Sequence, residues 1–360
     1  MNIANLSWLS IRPSTADAHQ PAYLIRIVTD TGAVSLAEAL VPSTDHLAEA
    51  VDLFEPLLVD RPVRARGQLW EQMTSTLQAQ KWPLREYAGA LSAVDMALWE
   101  LAAQAYAVPL YQLLGGAYFS SVDTYVLAPS VMDEAQQLLA WLASSAEQTV
   151  GGIGVTVEQV NTQSLRVVER IREEIGSNRR LMVQVVESCS DPESGQQAAQ
   201  QLARLELFWC ENLLPSTQVK AYAKLRASTD LPLAAGRDLY GIKQFYTLVK
   251  AQAVDVVMVD LRYCGGITVA RRIADLARLE DMRVAFVGGI SPLTTLAAAH
   301  LAASCPVAML LELPADFVTG IGKLFATSAQ FADGFISLGE EPGLGGELKL
   351  DHWEVQEPDE

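Results

Sequence analysis

Proton transfer at neutral pH is carried by histidine, by lysine, or by a carboxylate whose pKa has been shifted. This chain is short of the first two. Its 360 residues hold four histidines, His19, His46, His300 and His352, and none falls between residues 47 and 299. No lysine falls between residues 82 and 219. Chemistry in the middle of the chain must therefore run on carboxylates as acids or bases, on arginine as a fixed positive charge, and on amides and hydroxyls that orient a ligand. The four cysteines, Cys189, Cys210, Cys264 and Cys305, are scattered without a CxxC pair. Neither a disulfide framework nor a zinc site is expected from them. Cys264, with no histidine near it in sequence, reads as a packing residue.

Acidic residues outnumber basic ones 43 to 26, a net charge of −17. A field of that sign repels nucleic acid and anionic membranes, so both are excluded as partners. Met1 to Thr15 has no basic segment followed by an apolar one, and so does not read as a secretory signal. The most apolar stretch, Leu293 to Leu311, is broken by His300, Ser304 and Pro306 and falls short of a membrane span. The expectation is a soluble, cytoplasmic protein. His300 is read as a structural residue of an apolar helix over Thr294–Ala302.

The elements that must position any site follow from periodicity. Tyr23 to Thr29 alternates as a strand, Asp30-Thr31-Gly32 is a turn, and Ala33 to Ala39 is the return strand of a hairpin. Helical patterns then cover Ala48 to Leu58, Arg64 to Leu77 and Arg85 to Tyr106. From about residue 120, short β-rich runs recur at Val122–Leu127, Gly152–Val157, Leu181–Val186, Leu207–Cys210, Leu231–Ala234, Val254–Val259, Arg283–Val287 and Val307–Leu311. Amphipathic helices separate most of them. Eight such runs without a glycine-rich phosphate loop predict a closed α/β barrel, a TIM barrel, rather than an open doubly wound sheet. The predicted organisation is an N-terminal α+β cap over residues 1–118, a barrel over 119–316, and a tail over 317–360 that returns to the cap.

Several motifs carry a resemblance. They are Tyr87-Ala-Gly-Ala-Leu-Ser-Ala-Val-Asp95-Met-Ala-Leu-Trp99-Glu100, running on to Val108-Pro109 and Gly115-Gly116; Thr29-Asp30-Thr31-Gly32 with Ala37-Glu38-Ala39; Asp255 to Asp260 followed by Cys264-Gly265-Gly266-Ile267-Thr268; and Pro342-Gly343-Leu344-Gly345. Together they resemble the mandelate racemase and muconate lactonizing enzyme branch of the enolase superfamily over nearly the whole chain. The resemblance implies a modified (β/α)7β barrel, capped by an α+β domain built from both chain ends, with its site at the C-terminal ends of the strands. It also implies a homo-oligomer.

Members of that family stabilise an enolate of a carboxylate substrate on Mg²⁺, with lysine or histidine bases. The resemblance places the three metal-ligand positions at Gln184, Glu211 and Arg237, at the ends of the third, fourth and fifth barrel strands. An amide and a cation thus replace two of three acids, and a guanidinium offers only donors. The base positions correspond to Gly154-Val155-Thr156 and to Val287. Asp260, the partner of the missing strand-seven histidine, and Glu312, the acid of strand eight, are kept.

The expected catalytic set is therefore Asp260, Glu312, Arg237 and Glu211. The expected substrate-binding set is Gln184, Asn212 and Arg237, with His19 and His46 from loops that overhang the barrel mouth in the family. Arg237 is either an internal counter-ion or the anchor of a substrate carboxylate, and Asp260 and Glu312 either move protons or pair with Arg237 and other donors. The leading expectation is a metal-independent isomerase, cyclase or lyase acting on a small carboxylated molecule, without a cofactor. One alternative is a non-catalytic pseudoenzyme serving as a binding or assembly module. Another is a Mg²⁺-dependent acid-sugar dehydratase or racemase whose ligands have moved to Glu187, Glu211 and Asp238.

Overall fold

A computed structural model of the chain describes residues 1–13, 21–128, 140–142, 151–289, 291–315, 317, 325–349, 351 and 353–357. Strands β1 (Ile3–Pro13), β2 (Ala22–Thr29) and β3 (Val34–Ala39) form an antiparallel sheet, and the β2–β3 hairpin lies where its alternation predicts. Strand β1 was not legible from periodicity. Its buried residues Ile3, Leu6, Leu9 and Ile11 do not keep a period of two, and a register shift falls between Ile3 and Asn5.

Helices Thr44–Leu58, Arg66–Ala79 and Leu84–Ala105 complete the cap. The last is buried from Tyr87 to Ala103, because it is held between the cap sheet and the barrel. Gly89 is required there: a Cβ at this position would fall 1.7 Å from the Leu40 carbonyl oxygen. Asp95, in the same helix, takes the Thr268 N–H at 2.8 Å and the Thr268 hydroxyl at 2.6 Å. A cap side chain thus caps the start of the barrel helix Gly266–Leu279, supplying acceptors that the helix end lacks. Trp99 adds a bond from Nε1 to Thr268 Oγ1. The Asp95 and Trp99 signature residues are therefore docking residues.

The barrel is made of β4 (Val122–Leu127), β5 (Gly152–Val157), β6 (Arg180–Val185), β7 (Trp209–Glu211), β8 (Leu233–Ala235), β9 (Val256–Asp260), β10 (Arg283–Val287) and β11 (Ala308–Pro314). All eight pair in parallel in chain order, and β11 pairs with β4 to close the ring. Between them run helices such as Thr162–Ile175, started by an Asn161 capping box. Alternate residues point inward, and Tyr125, Met182, Trp209, Met258, Val287 and Leu310 fill the interior. Arg180 and Asp123 close a two-pronged ion pair at the N-terminal end, both contacts 2.7 Å.

The tail contributes β12 (Phe325–Thr327), β13 (Gln330–Ala332), β14 (Phe335–Ser337), β15 (Gly346–Leu348) and β16 (Trp353–Gln356). Strand β14 pairs with the start of β4, and β16 pairs with β1 of the cap. Among the described residues, no helix is long and apolar enough to cross a membrane.

Candidate active site

At the C-terminal end of the barrel, Glu211 closes β7 and Glu312 lies in β11, on the far side of the ring from β8. Beyond β8 the chain turns at Gly236, whose φ of +129° and approach to the Met258 carbonyl (2.6 Å from a Cβ built there) leave no room for a side chain. Arg237 follows and reaches across the mouth. Its Nε and Nη2 donate to the two oxygens of Glu211 at 2.7 and 2.9 Å, and its Nη1 and Nη2 donate to the two oxygens of Glu312 at 2.8 and 2.6 Å. One N–H of Nη1 is left without a partner among the described residues. Tyr125, the cross-strand neighbour of Glu312, donates its hydroxyl to the same carboxylate.

Both carboxylates are almost fully buried, and the Arg237 side chain keeps 16% of its surface. Burial pushes the Glu211 carboxyl above the ordinary carboxylate range, against the pull of Arg237. Burial would lower the Arg237 pKa, but Glu211 and Glu312 outweigh it and hold the guanidinium well above its usual value. Tyr125 is raised well above 10 by burial and by Glu312. At rest this is a glutamate–arginine–glutamate bridge with a neutral phenol behind it.

A second knot lies beside the first. Asp260 ends β9 and is not paired with Arg237, the partner the sequence offered. It is also no orphan, because Arg262, two residues on, gives it Nε and Nη2 at 3.0 and 2.7 Å and its backbone N–H at 2.9 Å. Arg262 Nη1 also reaches Glu38 of β3 at 3.2 Å. The other Glu38 oxygen takes the Ser291 N–H at 2.8 Å and the Thr294 hydroxyl at 3.2 Å, at the start of helix Pro292–Ala303. Sequence reasoning missed Arg262, Glu38 and Tyr125 as members of the site. The available signals were an arginine two residues beyond the strand-six acid, an acid inside the apolar return strand of the hairpin, and a phenol at an inward position of β4.

The remaining expected residues separate. Gln184, one residue before the end of β6, accepts the Thr156 hydroxyl at 3.3 Å. Asn212 follows Glu211 with a left-handed φ of +59°, and its Oδ1 is buried without a partner among the described residues. His46 is not in an overhanging loop. It lies in the first turn of Thr44–Leu58, bonded to Ser43 and Glu86 and packed on Tyr87, all residues of the cap. His19 lies outside the described residues.

Glu187 is exposed and bonded to Gln159, while Asp238 is exposed and takes the Ser216 hydroxyl. They do not join Glu211 as a ligand set, and no three His, Cys, Asp or Glu side chains converge on a metal position among the described residues. His300 takes the Tyr111 N–H at 3.1 Å and sits 3.2 Å from the Leu344 carbonyl. Burial lowers it to about 4, so it is a neutral structural residue as expected. Cys264 is buried with its thiol pushed up, which leaves it inert.

Comparison with known proteins agrees with this fold. Residues 10–115 match the family description "Mandelate racemase / muconate lactonizing enzyme, N-terminal domain", and residues 141–352 match "Enolase C-terminal domain-like". The chain belongs to the mandelate racemase and muconate lactonizing enzyme branch of the enolase superfamily. Among its relatives, D-galactarolactone cycloisomerase of Agrobacterium fabrum is 27% identical, over 91% of this chain and 89% of that one. D-xylonate dehydratase of Haloferax volcanii is 25% identical, over 95% and 86%. A racemase structure from Streptomyces coelicolor A3(2), with bound magnesium, superposes with a TM-score of 0.85 over 97% of this chain and 98% of that one, at 22% identity.

Within this enolase-superfamily frame, the test for magnesium is the donor set. A hard dication takes up to six oxygens in near-octahedral geometry. Here the mouth presents one amide, two carboxylates whose every oxygen already accepts an N–H, and a guanidinium between them. The arrangement as it stands does not fit the ion.

Proposed function

We propose that this chain converts a small acid-sugar-type molecule at the barrel mouth, as an isomerase, cyclase or lyase in which the Arg237 guanidinium serves where relatives use a divalent cation. The double fork of Arg237 on Glu211 and Glu312 carries the reading. The names of the relatives, cycloisomerase and sugar-acid dehydratase, support the substrate class and the reaction types. A small, carboxylated sugar derivative is the substrate expected from them.

In this reading Arg237 stays charged throughout and offers its remaining N–H to an oxygen on which negative charge develops. Glu211, buried and raised in pKa, is the carboxylate that takes up the proton in this reading. Tyr125 holds Glu312 in place. Asp260 acts by holding Arg262, and its role is positioning.

A second reading, Mg²⁺-dependent dehydration or racemisation, is favoured by the dehydratase relatives and by the magnesium in the Streptomyces structure. It requires Arg237 to leave the mouth and free both glutamates. One assay separates the two: turnover of a panel of sugar acids and lactones with and without EDTA, for wild type and Arg237→Ala. The metal-free reading expects turnover unaffected by chelation and reduced about 100-fold or more in Arg237→Ala. Loss on chelation with recovery on added Mg²⁺ would overturn it. No turnover of any panel member would favour a non-catalytic binding module, for which Val287 and Thr156 at the base positions speak.

A further inference from the structure

Away from the mouth, arginines from both sides line the seam between the cap and the barrel helix Gly266–Leu279. Arg272 is answered there: it reaches Glu71 at 3.6 Å and lies over the Trp70 ring. Arg66, at the start of cap helix Arg66–Ala79, and Arg271, one residue before Arg272, are not. Both lie over one indole, with their guanidinium carbons 3.9 and 5.7 Å from the centre of the Trp99 ring. Among the described residues, neither guanidinium makes a hydrogen bond or an ion pair. Two like charges thus share one platform with no acid between them, in a chain where acids outnumber bases 43 to 26.

The carboxylate that acts most on Arg66 is Asp95, and both of its oxygens already accept bonds from Thr268. Burial also raises Asp95 from 3.8 to about 7, so near neutral pH its charge is only partial. Burial and the charge of Arg271 lower the pKa of Arg66, and Asp95 and Tyr106 do not make up the difference. Arg66 Nε is buried without a partner. Its Nη groups and the Arg271 guanidinium are not closed off in this way, and both residues are partly exposed. Trp99 is itself held, because its Nε1 donates to Thr268 at 2.8 Å. The two cations are therefore laid out in advance on a fixed apolar surface.

A guanidinium presents its N–H donors as forks. A planar carboxylate has two oxygens and one charge, enough for one fork. A tetrahedral phosphate has oxygens for two forks and carries up to two charges, one for each arginine. We infer that Arg66 and Arg271 form a phosphate-binding site on Trp99, separate from the barrel mouth, that takes inorganic phosphate or a phosphate ester.

Calorimetry on the full chain tests this at about pH 7.5, with sodium phosphate, glycerol 1-phosphate and sodium acetate compared at matched ionic strength. A net charge of −17 repels anions in general, so phosphate that binds must find a local site. Saturable binding of phosphate is expected, about tenfold or more tighter than that of acetate. Arg66→Gln and Arg271→Gln should each weaken it about tenfold or more, with circular dichroism checking that each variant is folded. Arg271→Lys keeps the charge and loses the fork, so it should weaken binding about threefold or more without the risk to folding that a lost charge brings. Tighter binding of the ester assigns the site to phosphate esters, and tighter binding of phosphate assigns it to the free ion. Absence of saturable phosphate binding, acetate binding as tight as phosphate, or an affinity unchanged in the folded variants would overturn the inference.

Discussion

Glu38 of the cap strand β3 and Arg262 of the loop after β9 meet at 3.2 Å, both almost fully buried. This contact ties the cap hairpin to the rim of the barrel. Arg262 holds Asp260 with its remaining nitrogens, and the second Glu38 oxygen holds the first turn of helix Pro292–Ala303. One cap carboxylate thus fixes two barrel segments that flank the mouth.

Glu38→Ala should destabilise the protein by about 3 kcal/mol or more, since it leaves a buried guanidinium half-paired and the Ser291 N–H without its acceptor. Glu38→Gln keeps an acceptor oxygen and should lose less. Urea unfolding of the two variants checks the order; equal losses would mean that the charge is irrelevant.

Arg237→Leu should cost about 3–5 kcal/mol at neutral pH, because two buried carboxylates are left facing each other. Their repulsion raises the pKa of at least one of them in the variant. A raised carboxylate pKa gives stability that is present at low pH and lost as pH rises. The variant should therefore recover stability relative to wild type between about pH 7 and pH 5. Denaturation midpoints across that range report it, and a deficit independent of pH would show that repulsion is not the cause.

Away from the mouth, Glu100 sits buried in the cap helix with Ser35 and Gln104 as hydrogen-bond partners. Burial raises its carboxyl from 4.5 to about 7. The folded state thus holds this proton more tightly than the unfolded state does. The stabilisation is complete below about pH 4.5 and is lost as pH rises through 7, for a total of about 3 kcal/mol. Glu100→Gln removes this term. The stability of wild type minus that of the variant should fall between pH 5 and pH 7.5, and a flat difference would place the proton elsewhere.

Most of the frame was readable in advance because it repeats. Short β-rich runs at regular spacing mark the eight barrel strands to within a few residues, and the helical pattern over Arg85–Tyr106 marks the long cap helix. Strand β1 escaped because its bulge breaks the alternation on which such reading depends. His46 falls just before the helical pattern read from Ala48, whereas Ser43 caps the helix and starts it at Thr44.

The sequence by itself determined the residue types at the strand ends: Gln184, Glu211, Arg237, Asp260 and Glu312, with Gly154-Val155-Thr156 and Val287 at the positions where the family resemblance places lysine and histidine bases. Strand order also made Glu211, Arg237 and Asp260 neighbours in principle. Only the closed ring decided the pairing. Arg237 and Glu312 are 75 residues apart, Glu38 and Arg262 are 224 apart, and each pair meets because a long side chain crosses a gap that tertiary packing sets. Periodicity encodes which face a residue takes. It does not encode which of several opposite charges a guanidinium reaches once β11 closes on β4, and that choice makes Arg237 a shared counter-ion and gives Asp260 to Arg262.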